Sequence, residues 1–213
     1  MSKSQYKKRK ISTYQRKVGT RGDPRKKILI VCEGEKTEPN YFKKFEVTSC
    51  KLVVVGTGRN TESLVKKAIE LRNIADKEKD PFEEIWAVFD RDSFTAEIFN
   101  KALELAYNND IKVAYSNEAF ELWYLLHFHY IDMALSREQY IDKLDDYMKP
   151  DKRKYKKNME DAYEYFKERQ PQAFRNAAKL MEKYDSHNPE KDNPCTKVHE
   201  LVEVLNQNSK TKI

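Results

Sequence analysis

The sequence predicts an α/β protein built on an open, largely parallel four-stranded sheet with helices on both faces, followed by a purely helical extension. Three observations lead there. Four short β-branched or apolar runs (Ile28 to Cys32, Lys51 to Val55, Ile85 to Phe89, Ile111 to Tyr115) alternate with segments of helical period, the pattern of βαβ units with right-handed crossovers. The first run is unbroken by polar residues, as in a strand covered on both sides. From Ser136 onward only helical periodicity remains.

Each element has its own signal. Gly19, Gly22, Pro24 and the lack of any apolar period make residues 1–27 a disordered basic arm. After the first strand, Pro39 suits the first turn of a helix from Asn40 to about Val47. The second strand stops at Gly56. Thr61, with Ser63 close by, suits the cap of a helix reaching about Lys79 that buries Leu64, Ala68 and Leu71. The third strand leads into the Asp90 loop and a helix over Thr95 to Asn108, with Phe99, Ala102, Leu103 and Ala106 inward. A turn at Asn108, Asn109 and Asp110 precedes the fourth strand, and Glu118 to Tyr130 reads as one strongly apolar helix. Helices then follow over Arg137 to Met148, Met159 to Arg169, Pro171 to Tyr184 and Thr196 to Asn206, with a Lys-rich link through Asn158. The expected divisions are the arm at 1–27, an α/β domain at 28–135 and a helical subdomain at 136–213 packed on it.

Charge is unevenly placed. Residues 1–27 hold eleven Lys or Arg and one acid, Asp23, whereas residues 28–213 hold thirty bases and thirty-four acids, a net −4. A basic arm of this kind can bind nucleic acid through sequence-independent phosphate contacts, with Lys7, Lys8, Arg9, Lys10, Arg16 and Lys17 as the candidates; its plainer role is a solubilising tail. Cys32, Cys50 and Cys195 are far apart and lack CxxC or His spacing, which argues against a disulfide framework and a zinc site. No window approaches a membrane span and the N-terminus lacks an apolar signal region, so the expected setting is the cytoplasm.

Ligands of open α/β sheets gather beyond the carboxyl ends of the strands, and acids stand at those ends here. Glu33 follows the first strand, Asp90 and Asp92 the third, and Ser116, Glu118 and Glu121 the fourth. Two residues apart, Asp90 and Asp92 can point the same way, and a carboxylate from a neighbouring strand would complete a hard-oxygen site suited to Mg2+. A metal there can activate water and neutralise charge on a phosphodiester. A lone DxD is weak, since acids are ordinary loop residues and caps; the coincidence with Glu33 is what carries weight. Glu35 reads as a surface residue favouring the next helix's N-terminus. Gly56 and Gly58 lack the remainder of a phosphate-binding loop. His127 and His129, two apart on a helix, diverge, and Trp86 and Trp123 fall at core spacing.

EGEKTEPNYF at 33–42, FDRDSF at 89–94, SNEAFELWYLLHF at 116–128 and NPCTKVHELVEVL at 193–205 together resemble the RloB-like family of bacterial restriction-linked and abortive-infection proteins. That resemblance implies a variant of the Toprim fold, shared with topoisomerases, primases and OLD-type nucleases, over residues 28–135. By position, Glu33 would be the Toprim glutamate, a metal ligand or acid/base group, and Asp90 and Asp92 the metal-binding pair. Glu38 is similar to the second glutamate of OLD-type sites. Ser116 matches their serine, Glu121 or Glu118 the acidic companion, with Glu121 favoured, and Lys157 a following catalytic lysine. The implied activity is a Mg2+- or Mn2+-dependent nuclease of phage defence, using one or two ions, acting on DNA or RNA beside an RloA-type ATPase. Two other readings stay open: a nucleic-acid-binding or regulatory subunit without turnover, and a small-molecule phosphatase, because FDRDSFT is similar to the DxDxT of haloacid-dehalogenase enzymes. Against the latter, Thr95 lies one residue late and the motif is on the third strand.

Overall fold

The computed structural model describes residues 26–58, 60–92, 95–186 and 188–209. Lys7, Lys8, Arg9, Lys10, Arg16 and Lys17 therefore lie outside the described residues, as does the rest of the expected arm up to residue 25. The arm's last two residues do not belong to it. Lys26 and Lys27 open strand β1 (Lys26–Cys32), paired with Cys50 and Lys51 of β2 (Cys50–Gly56).

Strands β3 (Glu84–Asp90) and β4 (Lys112–Asn117) complete a parallel set, and a fifth strand, β5 (Cys195–Thr196), pairs antiparallel with β4. The order is β2-β1-β3-β4-β5. The sheet thus has five strands rather than four. Two residues of extended chain are too short for a periodic signal; Cys195 and Thr196 are fixed by pairing with Asn117 and Ser116, seventy-eight and eighty positions earlier in the chain.

Alternation along β1 and β3 divides the apolar side chains between two faces. Helix α1 (Thr37–Phe42) lies on one face, and α2 (Thr61–Lys77) and α3 (Ala96–Tyr107) on the other: Leu29, Val31, Ile85, Ala87 and Phe89 pack on α2 through Leu64, Val65 and Ala68 and on α3 through Phe99, Ala102 and Ala106. Ile28, Ile30, Cys32, Trp86 and Val88 face the other way, onto α1 and the remaining helices. Those are α4 (Glu121–Leu126), α5 (Arg137–Met148), α6 (Ala162–Phe166), α7 (Gln170–Met181) and α8 (Val198–Gln207). Their apolar residues form one continuous cluster with the sheet. Trp86 and Trp123 are buried within it as packing residues, and the three cysteines are free and buried.

Helix ends follow local chemistry. Asn60, not Thr61, caps α2 by accepting from the Ser63 amide, and Thr95 caps α3 by accepting from the Ile98 amide. Ser136 and Gln139 form a reciprocal capping box at α5, stabilising by about 1 kcal/mol. Helix α1 starts three residues before the expected Asn40 and ends at Phe42. The apolar segment expected as a helix over Glu118 to Tyr130 is α-helical only over Glu121–Leu126. On both sides its amides reach back three residues, Leu122 to Ala119 and His127 to Tyr124, so the helix tightens into turns.

Candidate active site

The carboxyl ends of β1 and β3 meet where the sequence places its acids. The Glu33 amide donates to the Val88 carbonyl at 2.8 Å, prolonging the β1–β3 ladder by one step. That turns the Glu33 carboxylate toward the next loop, where Oε2 accepts from the Asp90 amide at 3.2 Å. Asp90 and Asp92 do point the same way: Nη2 of Arg137 lies 2.9 Å from Asp90 Oδ2 and 3.5 Å from Asp92 Oδ2. Glu38 enters from α1 and Glu121 from α4, both buried. All five carboxylates, with Arg137 and Lys157, line one cavity of about 420 Å3.

Glycine makes this approach possible at two points. A Cβ on Gly34 would stand 2.1 Å from Glu38 Oε2, so only glycine lets α1's glutamate fold back over the loop. A Cβ on Gly56 would stand 2.7 Å from the Gly34 carbonyl and 2.8 Å from Glu35, so β2 can run beneath the acidic loop only with glycine there. Gly56 and Gly58 therefore serve loop packing, and the Gly58 amide donates to the Glu33 carbonyl at 2.9 Å. Glu35 is exposed at the cavity's edge.

Crowding of acids in a half-dry site has a clear electrostatic signature. Burial pushes the Glu33 carboxyl up to about 7, opposed by the Asp90 amide and Arg137 and reinforced by Asp92 and Glu38. Burial also raises Asp90 well above the usual carboxylate range, with Glu38, Glu121 and Glu33 pushing the same way and Arg137 opposing. Glu38 is raised by burial and by Glu121, against hydrogen bonds from its own amide and Gly34's and the charge of Lys157. Asp92 Oδ1 is buried without a hydrogen-bond partner among the described residues. Such a cluster crowds more acids than its surroundings balance, with Arg137 offsetting Glu33 and Asp90 and Lys157 offsetting Glu38.

Among the described residues, no three carboxylate, imidazole or thiol groups are arranged to enclose a metal ion as they stand. The acids are hard-oxygen donors, at strand ends and on α1 and α4, of the kind that could hold Mg2+ or Mn2+, and Mg2+ is commonly held by one or two carboxylates while keeping its waters. With the orphaned Asp92 oxygen among its lining groups, the cavity could take a hydrated divalent ion in preference to a dehydrated one.

Apart from Lys157, the other candidates are placed away from the cavity. Ser116 is buried and bonds the Thr196 hydroxyl at 2.8 Å, tying β4 to β5, and neither it nor Glu118 lines the cavity. Lys157 is at the cavity wall and exposed. His127 is buried with Nδ1 2.8 Å from the Trp123 carbonyl, while His129 is exposed, so the two diverge. Thr95 caps a helix. His199 places Nδ1 3.0 Å from the Thr196 carbonyl, beside β5.

Two participants were missed in the sequence. Arg137 is forty-five residues beyond Asp92 and reads as the ordinary first residue of a capped helix. Tyr155 reads as one aromatic in a Lys-rich link, yet it is buried and its hydroxyl donates to Glu121 Oε1 at 2.9 Å. Only its position inside a basic run, an apolar ring where solvated residues are expected, hinted at an anchor.

A family model described as RloB-like protein matches residues 28–205. The chain belongs to the RloB-like family. The match begins in β1 and ends in α8, so the RloB-like region contains both halves of the acid cavity as well as Arg137 and Tyr155. No curated protein matches the chain. No helix among the described residues is long and apolar enough to cross a membrane.

Proposed function

We propose that this RloB-like protein is a divalent-metal-dependent phosphodiesterase acting on DNA or RNA, built as a Toprim-like site. The observation that carries the reading is the convergence of Glu33, Asp90 and Asp92 from the ends of adjacent parallel strands onto one cavity, which Glu38 and Glu121 deepen. Glu33, Asp90 and Asp92 would hold Mg2+ or Mn2+, with Glu38 and Glu121 on the side where a second ion would bind. When bound, the ion supplies Lewis-acid charge neutralisation and a more acidic water. As the alternative to ligating the ion, Glu33, whose carboxyl burial raises to about 7 in the metal-free site, can take a proton from an attacking water near neutral pH. Arg137, already bridging Asp90 and Asp92, can turn to a phosphate oxygen and stabilise charge developing on it. Lys157, at the cavity wall, can do the same. The defence role, the cytoplasmic setting and an RloA-type ATPase as partner belong to this reading through the family resemblance.

The test is incubation of the purified protein with Mg2+ or Mn2+ and labelled single- and double-stranded DNA and RNA, with parallel Asp90→Ala samples. Metal-dependent cleavage by the parent and none by a folded Asp90→Ala protein is the expected result. Asp90→Ala cutting as well as the parent would sink the reading, and turnover of a simple phosphate ester without any nucleic-acid cleavage would favour the phosphatase.

A further inference from the structure

A second concave surface, about 600 Å3, shares a wall with the acid cavity, because Lys157 and Asn158 line both. Its other cations are Arg153, Lys154 and Lys156, facing Glu160 and Asp161. Residues 149–157 contain six Lys or Arg and one acid, Asp151, while residues 28–213 as a whole carry thirty bases against thirty-four acids. A net +5 stretch in a net-negative body is a local concentration of charge, and its mutual repulsion opposes folding.

Part of that charge is answered internally: Arg153 pairs with Asp161, and Lys154 lies 3.4 Å from Asp145. Among the described residues, Lys152, Lys156 and Lys157 form no salt bridge. The loop that carries them is nevertheless pinned. Tyr155 is 4% exposed, its amide donates to Asp145 Oδ1 at 2.8 Å and its hydroxyl to Glu121 at 2.9 Å. Asn158, at φ 70°, accepts from the Thr37 hydroxyl at 2.9 Å, and its carbonyl accepts from Asn40 at 3.2 Å. A buried anchor inside the run, Tyr155, and an exposed hydrogen-bonded one just after it, Asn158, thus hold solvated cations in fixed places beside the acids, and the inner anchor bonds a cavity carboxylate directly. Because Tyr155 is turned inward, the loop offers no ring on which a base could stack. It offers spaced point charges, which suit a chain of phosphates and read no sequence.

We propose that Lys152 to Lys157 is the phosphate-backbone track that guides a nucleic-acid strand into the acid cavity. The proposal rests on the phosphodiesterase reading of that cavity. Fluorescence anisotropy with fluorescein-labelled DNA of about 20 nucleotides, single-stranded and duplex, in EDTA from about 50 to 200 mM NaCl tests it. The variants are Lys152→Gln/Lys154→Gln/Lys156→Gln in the full chain and, for the arm, Lys7→Gln/Lys8→Gln/Arg9→Gln/Lys10→Gln. Losing the loop cations is expected to weaken binding at least about tenfold at the lowest salt and to reduce the log–log salt slope by about 2, at about 0.7 to 0.9 per phosphate contact. The loop variant should keep its circular dichroism melt and its metal-dependent hydrolysis of bis(p-nitrophenyl) phosphate, a diester too small to need the track. A loop variant that binds and cuts DNA like the parent overturns the track and leaves the phosphodiesterase standing. A parent that binds through the loop but hydrolyses neither substrate overturns the phosphodiesterase and leaves the track standing. A parent that binds neither DNA at low salt, or loses binding only in the arm variant, also overturns the track.

Discussion

The two faces of the sheet are made differently. On the α2–α3 face the strands meet an almost wholly apolar layer, with Phe89, Phe99 and Tyr115 in edge-to-face contact at 5.7 and 5.6 Å. Those helices, α2 after β2 and α3 after β3, are crossover segments between successive strands. The opposite face is larger and assembled from distant parts of the chain, and it buries Glu38, Glu121, His127, Gln170 and Asn176. Its polar groups are linked across helices. Trp123 and Gln170 donate to the Tyr41 hydroxyl at 3.1 and 3.3 Å, Asn206 donates to Gln170 at 2.8 Å, and Asn176 donates to the Leu126 carbonyl at 2.7 Å. A network of this kind fixes α1 and α4 relative to one another, and those helices deliver Glu38 and Glu121. One face is scaffold, and the other is scaffold and positioning device together.

Truncation should separate the two roles. Phe99→Ala, in the apolar layer, is expected to cost about 3–5 kcal/mol in denaturant unfolding, with cleavage per folded molecule unchanged. Loss of activity beyond the unfolded fraction would show that the scaffold face also positions the site. Asp90→Asn should do the reverse, lowering cleavage by at least about 100-fold with a stability change within about 1 kcal/mol, since it removes a carboxylate that burial disfavours while releasing Arg137.

His127 sharpens the contrast through pH. Burial holds its imidazole down to about 3, whereas in the unfolded chain it titrates near 6.5. Between those values the unfolded chain binds the extra proton, so the contribution is intact above about pH 6.5 and is lost progressively as pH falls. Relative to His127→Gln, the parent should lose about 2 kcal/mol between pH 7 and pH 5; equal pH dependence would show that the imidazole is not held neutral. The smallest effect belongs to Tyr155→Phe, which deletes only the donor to Glu121. About 1 kcal/mol of stability should go, with divalent-ion affinity changed by about tenfold, and an unchanged affinity would detach Tyr155 from the site.

The sheet's parallel strands were legible because each is a run of apolar residues that neighbouring chain does not interrupt, and Glu33, Asp90 and Asp92 because a strand end is a place defined locally. Glu121 stood beside Glu118 among the acids after the fourth strand and was preferred through the resemblance; its burial in a mostly apolar helix is not visible in the period alone. Arg137, Tyr155 and β5 were not legible. Their places depend on contacts with residues some thirty to eighty positions away, and a helix's first residue, a ring in a basic run and two extended residues carry no period of their own. The shortened α4 failed for a related reason: apolar period continues where the hydrogen bonds already tighten into turns.

The central claim is that the acid cavity is a divalent-cation site. Raised Glu33 and Asp90 must give up protons before a cation can displace Arg137, so affinity should climb with pH through about 7. Calorimetric titration of the metal-free protein with Mn2+ at pH 6 and pH 8, beside Asp90→Asn, measures this directly. The account predicts one or two ions bound, more tightly at pH 8, and little binding by the folded variant; no binding by the parent, or equal binding by Asp90→Asn, would contradict it.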